Sequence, residues 1–89
     1  MAYSLAYAPG FERRLVRFLK LHPELKARVG KTLSLLKADL DYPSLETHKL
    51  KGKLNDKYAC SINYEYRLVF KINDNLIQVL SIGNHDDVY

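Results

Sequence analysis

Tyr66-Arg67-Leu68-Val69-Phe70-Lys71-Ile72, then Asn73-Asp74-Asn75, then Leu76-Ile77-Gln78-Val79-Leu80-Ser81-Ile82, is the stretch that decides the fold. Two runs of β-branched, aromatic and aliphatic residues flank a short Asn/Asp tract. Asn and Asp tolerate the left-handed backbone of tight turns, so the stretch predicts a β-hairpin. Strand side chains alternate between faces. Tyr66, Leu68, Phe70 and Ile72 therefore form a core face, while Glu65, Arg67, Val69 and Lys71 point to a less covered one.

Upstream, Tyr3 to Tyr7 alternates like a strand and is closed by Pro9-Gly10. The spacing then changes. Phe11, Leu15, Phe18 and Leu19 fall on one helical stripe, and after a break at Leu21-His22-Pro23 a second helix carries Leu25, Val29, Leu33, Leu36 and Leu40. Leu45 to Asp56 reads as a polar connection with a turn at Asn55-Asp56, and Tyr58 to Asn63 as a further strand. The chain of 89 residues supports one domain, residues 1–89. Its predicted class is α+β: a small antiparallel sheet of about four strands packed against an N-terminal helical hairpin, in the order β-α-α-β-β-β.

Composition narrows the function classes. At 47% hydrophobic and 27% charged, the chain suits a globular domain, and it has neither a membrane-length apolar run nor a signal-peptide pattern, so the expected compartment is the cytoplasm. The net charge of +4 favours an anionic partner. That excess lies in residues 1–45, with eight Lys/Arg against four Asp/Glu; residues 46–89 hold six of each. The lone Cys60 excludes an internal disulfide and reads as a buried core residue. His22, His48 and His85 are too scattered for a metal centre, so no metal or other cofactor is expected. His22, just before Pro23, reads as a capping or solvent-exposed residue. There is no phosphate-binding glycine loop and no serine nucleophile elbow.

What remains is His48, Lys49, Lys51, Lys53, Glu65, Arg67, His85 and Tyr89. Metal-free cleavage of RNA needs a base for the 2′-hydroxyl, an acid for the leaving 5′-oxygen and cations for the phosphorane, and this set holds each type. The same residues also suit a solvated lysine loop and a polar tail.

A resemblance separates these alternatives. His48-Lys49-Leu50-Lys51-Gly52, Tyr66-Arg67-Leu68-Val69-Phe70 and Ile82-Gly83-Asn84-His85-Asp86-Asp87-Val88-Tyr89, in this order, resemble the RelE/ParE superfamily of bacterial toxin-antitoxin toxins, and most of all its YafQ type. The resemblance implies a RelE-like fold and cleavage of mRNA in the ribosomal A site. Matched by motif, His48, Glu65 and His85 fall on catalytic positions, Arg67 on a phosphate-contacting arginine and Tyr89 on a C-terminal aromatic. Lys49, Lys51 and Lys53, with Arg13, Arg14, Arg17, Lys20 and Lys31 of the helices, are the expected RNA contacts. The implied partners are a cognate antitoxin, the ribosome and mRNA, with no membrane. The chain departs from the YafQ type where Ser61 replaces a histidine and Glu65 an aspartate, and from RelE where His85 replaces an arginine. Two other functions fit the same fold: ParE-like inhibition of DNA gyrase, and a non-catalytic binding module.

Overall fold

The computed structural model describes residues 3–54 and 56–84. The expectations placed on Asn55, His85 and Tyr89 therefore lie outside the described residues. Strand β1 (Ser4–Tyr7) leads through Gly10, whose φ of 86° turns the chain, into helix α1 (Phe11–Leu21). Pro23–Leu25 forms a 3-10 turn before helix α2 (Lys26–Ala38). A second 3-10 turn, Pro43–Leu45, precedes the short strand β2 (His48–Lys49), and then come β3 (Tyr58–Ser61), β4 (Tyr66–Asn73) and β5 (Leu76–Asn84).

The sheet order is β1-β5-β4-β3-β2. Two features correct the expected four-stranded antiparallel sheet. First, β1 pairs with β5 in parallel, Ser4 beside Leu76 through Tyr7 beside Val79. The two strands are joined by both helices and three other strands, so no hairpin constrains their relative direction. Second, two residues of the connection between α2 and β3 pair with β3, His48 beside Ala59 and Lys49 beside Tyr58. Both are exposed, so no hydrophobic alternation marks this edge.

The β4–β5 hairpin forms as expected, with Asp74 at φ 53° in its turn. One residue breaks its register: Val69 faces Ser81 and Phe70 faces Val79, leaving Leu80 as a bulge. Ile77 and Val79 face the core before the bulge and Ile82 faces it after, which side-chain alternation alone would forbid. The bulge also brings Gly83 opposite Arg67.

The two faces of the sheet are covered differently. Against the helices lies the main core, where Phe11, Leu36, Leu68, Phe70, Ile77 and Val79 are wholly buried. Thr32 joins it because its hydroxyl donates to the Arg28 carbonyl at 2.8 Å one helical turn back. The reverse face has a smaller cluster, Leu50, Ala59 and Val69, flanked by Leu54 and Leu80. It covers only part of the sheet. No helix among the described residues is long and apolar enough to cross a membrane.

Candidate active site

The uncovered part of the reverse face is a cleft of about 250 Å³ lined by Glu46, His48, Ser61 and Arg67. Each wall is set by backbone pairing. Arg67 lies on β4 between Ser61 of β3 and Gly83 of β5, and glycine presents no side chain beside it. On the other wall, Leu45 is buried and anchors the Pro43–Leu45 turn, after which Glu46 adopts φ 48°. Left-handed backbone is costly for a residue with a Cβ and recurs at functional sites. Thr47 then ties the chain to the Leu40 carbonyl at 2.9 Å.

This constrained path orients His48. Its Nδ1 donates to the Glu46 carbonyl at 3.0 Å. A carbonyl can only accept, so Nδ1 carries the proton and Nε2 is the basic nitrogen of the neutral ring. Ser61, at the expected histidine position, donates its hydroxyl to the Asn63 carbonyl at 2.6 Å.

Two hollows adjoin the cleft. One, of about 330 Å³, shares His48 and is lined by Lys49, Leu50, Lys51 and Leu54. The other, of about 370 Å³, shares Ser61 and brings in Arg28, Lys31 and Ser44. Together the three linings hold Arg28, Lys31, Lys49, Lys51 and Arg67 against the one carboxylate of Glu46, a charge balance suited to a polyanionic strand.

Of the residues singled out from sequence, His48 and Arg67 meet in the cleft, and Lys49, Lys51 and Lys31 line its extensions. Lys53 is exposed on the Gly52–Leu54 turn. Glu65 is exposed in the connection between β3 and β4 and is not among the lining residues of the cleft. Arg13, Arg14 and Arg17 gather around a different hollow, of about 290 Å³, at the start of α1, and Lys20 is exposed on the last turn of that helix. The α1 arginines are thus a separate patch, with no share in the cleft walls.

Sequence reasoning missed Glu46, which contributes a carbonyl and a strained φ, and Arg28, whose Nε donates to the Ile62 carbonyl at 2.8 Å. His22 takes the capping position expected of it, ending α1 with its backbone N–H on the Phe18 carbonyl and preceding the Pro23–Leu25 turn. Its half-buried ring adds contacts the sequence did not mark: it packs on Phe18 and Tyr66 with centroids 4.7 and 4.8 Å away, and its Nε2 lies 3.4 Å from the Tyr66 hydroxyl. Tyr66 lies 44 residues further along the chain, beyond any local pattern. Cys60 is buried as expected, and burial pushes its thiol up to about 12. Among the described residues, no group of three His, Cys, Asp or Glu side chains is gathered as for a metal ion.

Residues 3–89 match the family described as "Bacterial toxin of type II toxin-antitoxin system, YafQ". The chain belongs to this YafQ toxin family. Solved structures agree on the fold. YafQ from E. coli strain BL21(DE3) superposes with a TM-score of 0.82 at 16% identity, covering 98% of each chain. The E. coli DinJ–YafQ toxin-antitoxin complex matches at 0.80 and 14% identity, over 100% of this chain and 99% of that one. The YoeB–YefM complex from Staphylococcus aureus matches at 0.73 and 22% identity, over 96% and 99%. No curated protein sequence matches the chain. YafQ-family membership and the RelE-like α+β fold thus agree with the motifs from which the resemblance was drawn.

Proposed function

We propose that the chain is a ribosome-dependent mRNA endoribonuclease that cleaves by attack of a 2′-hydroxyl on the adjacent phosphate. The observation that carries this reading is the cleft lined by both His48 and Arg67, with lysines and an arginine lining the adjoining hollows. Nε2 of His48 removes the 2′-hydroxyl proton, because Nδ1 is committed to the Glu46 carbonyl. The new bond from the 2′-oxygen to phosphorus gives a phosphorane, whose charge Arg67 and Lys51 balance. The bond to the 5′-oxygen then breaks, and His85 supplies its proton. The products are a 2′,3′-cyclic phosphate and a 5′-hydroxyl.

Exposure of Glu65 outside the cleft favours His48 over Glu65 as base. The Ser61 hydroxyl is too weak a base for this role, so with one histidine fewer than the YafQ pattern the base role in this reading falls to His48 alone. Arg13, Arg14, Arg17 and Lys20 contact ribosomal RNA through its backbone, away from the reacting bond. A ribosomal substrate implies a cytoplasmic protein. The DinJ–YafQ and YoeB–YefM complexes support a cognate antitoxin as the regulatory partner.

Primer extension on a defined mRNA in a reconstituted translation system tests the reading. Cuts are expected only with ribosomes, within A-site codons, and upstream fragments should end in a cyclic phosphate. A 2′-deoxy nucleotide at the cut position should abolish cleavage, and His85→Ala should slow it. Intact mRNA on active ribosomes would overturn the nuclease. Loss of gyrase supercoiling on adding the pure protein would then point to the ParE-like activity.

A further inference from the structure

Tyr64 is the most solvent-exposed large hydrophobic side chain described, at 92% exposure. It occupies the connection between β3 and β4, where a turn ordinarily takes a small polar residue or glycine. This connection is firmly held. The Asn63 side-chain oxygen accepts from the backbone N–H groups of Glu65 at 2.9 Å and Tyr66 at 2.8 Å, and the Ser61 hydroxyl donates to the Asn63 carbonyl at 2.6 Å. Ile62 N–H donates to the Tyr66 carbonyl at 2.9 Å, and Arg28 ties the Ile62 carbonyl to α2 at 2.8 Å. An aromatic ring exposed to water on a backbone bonded at this many points needs little backbone ordering to make a contact, and a tyrosine ring has few rotatable bonds left to fix.

Its place indicates what it meets. The connection leaves β3 at Ser61 and enters β4 near Arg67, and both residues line the cleft. Tyr64 is three residues from each, so its Cα lies within about 11 Å of both by the reach of an extended chain. The hollows on either side of the cleft are lined by Arg28, Lys31, Lys49 and Lys51, which favours a polyanion over a protein surface as the neighbour. Single-stranded RNA offers what the ring lacks, an unstacked base with a π face.

We propose that Tyr64 is a base-stacking site for single-stranded RNA, holding a nucleotide beside the one whose phosphate enters the His48–Arg67 cleft. This inference rests on the nuclease reading above. It adds a substrate contact that none of the sequence motifs marks. Stacking needs the ring and not the hydroxyl, and an exposed ring contributes nothing to the core, so binding and folding separate cleanly at this position.

The test is single-turnover cleavage of mRNA on programmed ribosomes, with toxin in excess, for the wild type, Tyr64→Phe and Tyr64→Ala. Tyr64→Ala is expected to need about ten-fold more toxin for its half-maximal rate, as the loss of one base stack predicts. Its saturating rate should stay within about two-fold of the wild type, the mark of lost binding shared by ground and transition states. Tyr64→Phe should behave as the wild type, and all three proteins should melt together. Equal cleavage by Tyr64→Ala and the wild type would overturn the inference and leave the ring to a protein contact. A Tyr64→Phe defect as large as that of Tyr64→Ala would also overturn it, by assigning the effect to the hydroxyl. A wild type that leaves ribosome-bound mRNA whole would overturn the nuclease reading itself, a result distinct from either.

Discussion

Strand β4 has two faces with different work. Leu68 and Phe70 point to the helices and are wholly buried, while Arg67, next to Leu68 in sequence, points to the reverse face and lines the cleft. One face is filled by two helices. The other is covered by a short segment around Leu50 and Leu54, and where that cover stops, polar side chains stand on rigid sheet. The difference teaches that one face can be given wholly to burial while the other is left to carry the side chains of the proposed site, although they share one backbone.

This division can be broken at several points. Phe70→Ala should destabilise the domain by about 3–5 kcal/mol, a large share of the roughly 5–15 kcal/mol that holds a small domain folded. Chemical denaturation would show it as a lower midpoint. Arg67→Ala should do the reverse, cutting cleavage by about 10²- to 10³-fold, the scale for removing one donor to a developing oxyanion. Its stability should change by no more than about 0.5 kcal/mol. Arg67→Lys should recover part of the rate, because an ammonium keeps the charge and loses the two-pronged fit to phosphate. A fall in melting temperature matching the fall in rate would erase the distinction between the faces.

Cys60 sharpens the comparison from the core side. Burial pushes its thiol up to about 12 from the 9.0 of a free thiol, so the folded state keeps a proton that the unfolded chain releases. Stability contributed in this way is intact below pH 9 and falls as pH rises toward 12. A thiol reagent at neutral pH should therefore label Cys60 only at the rate of global unfolding, and faster labelling would show that the core opens locally.

The smallest expected effect is at Glu46. Glu46→Gly removes the left-handed strain at φ 48° and keeps the carbonyl that holds His48. It should stabilise the protein by about 0.5–1 kcal/mol and leave cleavage close to wild type. Glu46→Pro cannot reach that φ and should slow cleavage through a misdirected imidazole. Both outcomes are read from melting curves and single-turnover rates.

These cases also show which parts of the molecule were legible in the sequence. The helices and the β4–β5 hairpin were, because burial on one side imposes a period of 3.6 or 2 on residue type. Parallel pairing of β1 with β5 was not, since alternation records which face is buried and not which way a neighbour runs. The bulge at Leu80 and the strand at His48–Lys49 are backbone events that change no residue pattern. In the cleft, His48 and Arg67 stood out because their side chains carry charge or protons. Glu46 did not, because its contribution to His48 is a carbonyl that every residue type possesses. The capping position of His22 was legible beside Pro23, but its ring contact with Tyr66 was not, because that neighbour arrives through the tertiary fold.

Single-turnover cleavage by His48→Ala, measured beside its melting temperature, tests the central claim most directly. The account predicts a loss of about 10²- to 10⁴-fold in rate, the range for a positioned general base, with melting unchanged because His48 is exposed on a sheet edge. Cleavage at the wild-type rate by a folded His48→Ala protein would contradict the assignment of the cleft as the reacting site.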